Sequence, residues 1–176
     1  NERELGYAKD QVVMIGYDNT IMEHYDAFYN ELTKSPSVIN ATRSSLIPTD
    51  RLLAYRGTSV EHGDSLVATE INMKDVRIDH EFFNTYKIPF VSGRNFSRDV
   101  KTDDSLAFII NETAARMVGW SNEEAIGKVL KNGFVKGSII GVVKDFHFES
   151  LHEPIAPVVF HGEKNFNRIS ILVSES

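Results

Sequence analysis

The sequence predicts a globular protein of mixed strands and helices, built as one domain or two small lobes. Three observations lead there. A valine-rich run is followed by helical spacing and then by a second extended run. Residues 66–74 alternate with period two. An Asn-Gly pair at 132–133 separates two apolar runs, as in a hairpin. With 176 residues, 41% hydrophobic and 25% charged, the chain is long enough to bury a real core.

Residues 11–16 read as a buried strand because valine and isoleucine dominate them. Thr20 and Glu23 have capping-box spacing, and Ile21, Tyr25, Phe28 and Leu32 then recur on one helical face that packs on the sheet. Pro36 closes this helix, since the residue before a proline avoids the helical region, and 38–46 resumes in extended form. Over 56–77, Leu66, Ala68, Glu70 and Asn72 oppose Val67, Thr69, Ile71 and Met73, giving a long strand with one wet face; Gly57 and Gly63 mark turns. Asp79 is placed to cap a short helix through Tyr86 that buries Phe82, Phe83 and Tyr86, with a brief strand at 88–91 after it.

Polar residues 94–105 read as a loop, and 107–110 as a strand. Asn111 caps a helix that Gly119 ends, and Ser121 with Glu124 forms a second capping box, so two short helices flank Trp120. Segments 128–130 and 135–148 form a hairpin turned by Asn132 and Gly133. Ile139, Ile140, Val142 and Val143 are apolar in succession, so both faces of that strand are covered. Two more strands follow at 158–161 and 169–173. There is no internal repeat.

Composition excludes several functions. The net charge of -6 with scattered Lys and Arg disfavours nucleic acid and anionic lipid as partners. The absence of cysteine removes disulfides, thiolate metal sites and cysteine nucleophiles, while leaving cytosol and periplasm both open. No apolar run approaches the roughly 18–20 residues that span a bilayer, and 1–7 lacks the apolar stretch of a signal peptide.

No catalytic, cofactor or metal residues are singled out. His24, His62, His80, His147, His152 and His161 lie in different elements without helical His-x-x-x-His spacing; His147 and His152 are closest and read as strand-end and loop histidines rather than ligands. Asp99, Asp103 and Asp104 crowd one loop but lack the glycine and terminal glutamate of a calcium loop, so a solvated acidic loop is the reading. Gly127-Lys128 is followed by Val129 and does not make a phosphate loop. No Gly-x-Ser-x-Gly elbow exists. Phe82, Phe83, Tyr86, Phe90, Phe96, Trp120, Phe146 and Phe148 read as a ring-filled core in preference to a ligand box.

Three stretches together resemble one family. Leu5-Gly6-Tyr7-Ala8-Lys9-Asp10-Gln11-Val12-Val13 resembles the segment after the first membrane helix of FtsX-type permeases. Gly93-Arg94-Asn95-Phe96, then Ile109-Ile110-Asn111-Glu112-Thr113-Ala114-Ala115 and Ile126-Gly127-Lys128, is similar to that family's internal pattern. Ile140-Gly141-Val142-Val143-Lys144-Asp145-Phe146-His147-Phe148-Glu149, continuing through Pro154 and Ile155, resembles members with many membrane helices. The order and separation match, so the resemblance spans essentially the whole chain. It points to the MacB-like periplasmic core domain of an ABC transporter permease.

The resemblance implies an α+β fold of two lobes. One is a porter-like strand-helix-strand lobe, 1–78 plus 151–176; the other is a smaller mixed lobe, 79–150, inserted into it. Relatives continue past the strand at 169–173 with another helix and strand, so the first lobe is expected to be incomplete at its C-terminal side. The resemblance also implies a non-catalytic domain at the periplasmic face of the inner membrane, without cofactors. Its partners would be its own membrane helices, a separate ATP-binding subunit or domain, and a periplasmic adaptor, lipoprotein carrier or hydrolase activator. A dimeric full-length permease and a monomeric isolated domain are expected. The alternative is an extracytoplasmic small-molecule sensor, which needs a closed apolar pocket with converging polar groups; an enzyme would need a cleft of titratable groups. The permease reading requires both chain ends on one side of the domain.

Overall fold

A computed structural model describes residues 12–52, 55–149, 151–162 and 165–174. The opening stretch 5–11 of the resemblance lies outside them. The fold is α+β, with one small and one large sheet.

The small sheet has three antiparallel strands in the order β1 (Val12–Ile15), β10 (Arg168–Val173), β2 (Val38–Ser44). Against it lie α1 (Asn19–Glu23) and α2 (Tyr25–Leu32), and Ile21, Tyr25, Phe28 and Leu32 meet Ala41, Ile169 and Ile171 as their spacing predicts. Two details differ from expectation. β1 is an edge strand with Val13 and Met14 exposed, because among the described residues only β10 pairs with it. The helix cap is Asp18, in extended conformation, whose carboxylate accepts from Ile21 N at 3.0 Å; Thr20 is already helical, and His24 interrupts the helix.

The large sheet runs β5 (Phe90–Gly93), β8 (Val135–Val143), β6 (Ala107–Asn111), β9 (Val158–His161), β4 (Ser65–Arg77), β3 (Tyr55–His62), β7 (Val129–Asn132). A further β7–β8 pairing closes it into a ring through β8, β6, β9, β4, β3 and β7. Successive side chains point to opposite faces, so each central strand feeds two cores. Met73, Phe108, Ile110, Ile139, Val142 and Val159 pack with Ala114, Ala115 and Ala125 of α5 (Glu112–Val118) and α6 (Asn122–Ala125). Val76, Ile109, Val143, Val158 and Phe160 face the other way, into the aromatic core.

That second core holds Phe82 and Phe83 of α3 (Phe82–Thr85), with Tyr86, Phe96, Phe146 and Phe148 buried beside them. Ring pairs include Phe82–Phe83 at 5.6 Å and Phe83–Phe160 at 5.1 Å, both edge-to-face, as ring quadrupoles favour. Strand β5 begins two residues later than the spacing suggests, because Ile88 N closes the preceding turn on Phe83 O at 2.9 Å and Pro89 has no amide hydrogen. Within the polar stretch 94–105 a short helix, α4 (Asp103–Leu106), begins.

The strand pairing runs across the expected lobe boundary. β3, β4 and β9 belong by sequence to 1–78 plus 151–176, yet they are hydrogen-bonded into the same sheet as β5 to β8 from 79–150. The physical reason is β9, which pairs parallel with β4 on one edge and antiparallel with β6 on the other. Only β1, β2, β10 and their helices form the separate strand-helix-strand unit.

Candidate functional site

The two sheets meet along a polar seam. Strand β2 runs on past Ser44, which bridges to Ile78; Ser45 N donates to Arg77 O at 2.8 Å, and Asp79 N to Arg43 O at 3.1 Å. At its centre sits Asp79, whose carboxylate accepts from Thr42 Oγ1, from Arg43 N at 2.8 Å and from Glu81 N at 3.1 Å. Burial raises its pKa above the usual carboxylate range, and those hydrogen bonds oppose the rise only in part. The capping role expected of Asp79 is therefore spent on the seam. Tyr86 and Ser170 hydroxyls add a 2.7 Å bond, and Asn40 Nδ2 donates to Glu81 Oε2 at 2.8 Å.

Beside Asp79 the seam opens into a cleft of about 350 Å³ lined by Arg43, Ile78, Asp79, His80, Phe96 and Phe166, with Asp104, Ser105 and Gly162 at its other wall. Arg43 projects from β2 with its guanidinium 3.9 Å over the Tyr25 ring and 5.0 Å from that of Phe166. Its Nε is buried and forms no hydrogen bond; Asp79 Oδ2 is 3.6 Å away. His80 Nε2 is likewise buried without a hydrogen bond, with Asp104 Oδ1 at 3.4 Å. Burial pushes the Tyr25 phenol upward, Asp79 adding to the effect and Arg43 opposing it, and the hydroxyl also lacks a partner. Sequence reasoning missed this group. One signal was present: Arg43 is the single charge in the extended run 38–46.

The other flagged residues are dispersed. Asp103 is buried and held by Arg94 in a two-pronged pair at 2.6 and 3.0 Å, so that part of the acidic loop is a structural latch, not a solvated surface. Burial works to raise its pKa, but Arg94 and the Ser97 amide prevail and lower it. His161 lies inside the ring of strands, its Nε2 3.0 Å from Asp75 Oδ1. Asn132 Nδ2 reaches the same carboxylate at 3.2 Å, and Arg56 Nε stands at 3.8 Å. Among the described residues no three His, Asp or Glu side chains gather as a metal site. At the hairpin tip Phe134 projects into solvent, 93% exposed.

The motifs behind the resemblance are structural in this geometry. Gly93 has φ +69° and faces Gly141 across the β5–β8 pair; a β-carbon on Gly93 would come within 2.2 Å of Ile140 O. Asn111 accepts from Ala114 N at 3.1 Å and from Val158 N at 3.0 Å, and donates to Ala156 O at 2.8 Å, tying α5 to β9.

No family model and no curated protein matches the sequence. Solved structures do match. The periplasmic region of MacB from Actinobacillus actinomycetemcomitans superposes with TM-score 0.59 at 14% identity, over 99% of this chain and 79% of that one. The chain has the MacB-like periplasmic fold. A domain from Porphyromonas gingivalis described as that of a permease gives TM-score 0.55 at 17% identity, over 84% of this chain and 67% of its own. The extracellular domain of YknZ, a noncanonical ABC-type transporter of Gram-positive bacteria, gives 0.57 at 12%, over 94% and 84%. The α+β architecture expected from the resemblance is thus the observed one.

Proposed function

We propose that this chain is an extracytoplasmic, non-catalytic domain of an ABC transporter permease, held at the periplasmic face of the inner membrane. The observation that carries the reading is the MacB-like fold over 99% of the chain. No described helix is long and apolar enough to cross a membrane.

In this reading ATP is hydrolysed by a separate cytoplasmic subunit or domain, and the membrane helices transmit the motion to a stiff outer domain that moves as a body against a protein partner. Stiffness comes from the interlocked rings around Phe160 and from the closed set of strands. The division that suits such motion is the small sheet against the large one, with the Asp79 seam between them.

Because the chain has no cysteine, Phe134→Cys at the exposed tip provides one clean label in a full-length permease freed of any others. A membrane-impermeant maleimide should label it in intact spheroplasts, and a spin label there should change its distance to a second copy when ATP is trapped. Labelling only after lysis refutes the location. An unchanged distance in a transporter that still hydrolyses ATP refutes the relay.

A further inference from the structure

The cleft beside Asp79 carries features that packing does not account for. The guanidinium of Arg43 has five N–H donors and makes no hydrogen bond to a described residue; its neighbours are two rings and Asp79 at 3.6 Å. Clamping between Tyr25 and Phe166 fixes the guanidinium plane before any ligand arrives, which lowers the ordering cost of binding. His80 adds a second buried nitrogen without a hydrogen bond on the same cleft. A buried donor left unbonded costs about 1–3 kcal/mol; His80 Nε2, with Asp104 Oδ1 at 3.4 Å, gains an acceptor from the cleft once Asp104 turns aside, and Arg43 lines the same cleft. The remaining wall, from Ile78, Phe96 and Phe166, is apolar. At about 350 Å³ the space is at the small end of ligand sites.

We propose that this cleft binds a small organic carboxylate, its anionic end on Arg43 and His80 and its apolar body against Ile78, Phe96 and Phe166. A cation is disfavoured because the Asp79 oxygens are already engaged by Thr42, Arg43 N and Glu81 N. Of the two acidic groups on the cleft, Asp79 is held in place by its three donors and Asp104 must yield. Its side chain is 59% exposed, and it can turn to solvent as the ligand's carboxylate takes its place near His80. Since Arg43 lies on the small sheet and His80 follows the strand β4 of the large one, an occupant would join the two sheets across the seam. The proposal does not rest on the permease reading: binding is a property of the domain itself.

The test is two-dimensional NMR and calorimetry on the protein with phenylacetate, indole-3-acetate and hexanoate, each beside its neutral amide. At least one carboxylate should bind with a dissociation constant of about 0.1–1 mM, fitting for roughly ten non-hydrogen atoms. It should shift the Arg43 Nε and His80 ring signals, and the matching amide should bind at least about tenfold more weakly. Arg43→Gln should abolish the preference for the carboxylate. Because that change also removes the stack on Tyr25, Ser105→Phe serves as a second variant: it fills the cleft from an exposed position and should abolish binding in a folded protein. Equal affinity for acid and amide overturns the proposal, as does the absence of any Arg43 or His80 shift up to about 10 mM of every acid. Unchanged binding in Ser105→Phe overturns it too. None of these results bears on where the domain sits in a cell, which the labelling experiment decides.

Discussion

Phe160 is the residue on which the aromatic core should depend most. It is fully buried on β9, with ring centroids 5.1 Å from Phe83 and 6.1 Å from both Phe82 and Phe146. Its strand lies between β4 and β6, so the side chain joins packing contributed by both sequence segments of the large sheet. Phe160→Ala removes the ring and leaves a cavity that rigid neighbours cannot refill, a change that costs about 3–5 kcal/mol. Set against a domain stability of about 5–15 kcal/mol, the variant should still fold at room temperature. At roughly 2–4 °C per kcal/mol for a chain of this size, a loss near 4 kcal/mol lowers Tm by about 8–16 °C. Urea unfolding followed by Trp120 fluorescence, with thermal unfolding by circular dichroism, measures both quantities. Wild type and variant should each unfold in one transition, because β9 belongs to both cores. A loss under about 1 kcal/mol would refute the reasoning that this ring is a shared and inflexible packing element. Two separate transitions would refute the claim that β9 unites the large sheet.

Three further outcomes follow from the same geometry. Gly93→Ala should destabilise by about 2–4 kcal/mol, combining a positive φ with a β-carbon 2.2 Å from Ile140 O, whereas Phe134→Ser at the exposed tip should stay within about 0.5 kcal/mol; denaturant midpoints compare them. Asn111→Ala should cost about 3 kcal/mol, since it deletes a helix cap and strands Val158 N and Ala156 O in the interior, and hydrogen exchange should quicken first in α5 and β9. Asp75 is the pH test. Burial alone would raise its pKa, but the hydrogen bond and charge of His161, with Arg56 and Arg77, outweigh it and set the folded value below the unfolded one. Its stabilisation is therefore complete above the ordinary Asp value of about 4 and fades as pH falls through the lower folded value. Stability measured from neutral pH downward should decline less steeply in Asp75→Asn than in wild type; parallel curves would contradict this.

The short-range features were legible wherever one residue satisfies its own neighbours. Asn111 caps α5, Gly119 ends it with φ +93°, Ser121 and Glu124 form both bonds of a capping box, and Gly133 turns the β7–β8 hairpin. Each depends on atoms within about four residues, and so did the paired faces of β4 and β8. The helix start at Asp18 was misplaced by two residues because Thr20 has the same capping chemistry; which of them stays extended depends on how the chain leaves β1.

What the sequence by itself determined, then, is most of the elements, though not the division of 56–77 into β3 and β4 or helix α4, together with the aromatic core and the exclusion of thiol chemistry, because periodicity, capping and composition are local properties. Only the tertiary structure decided that β9 sits between β4 and β6, that β7 pairs with β3 to complete the ring, and that Arg43, Asp79 and His80 share one cleft. Nothing in the spacing of residue 43 and residue 80 brings them together. They meet because β2 runs on into the Ser44–Ile78 bridge and carries its one charged side chain to the far end of β4, a contact set by the burial of two sheets against each other and not by any preference the chain expresses along its length.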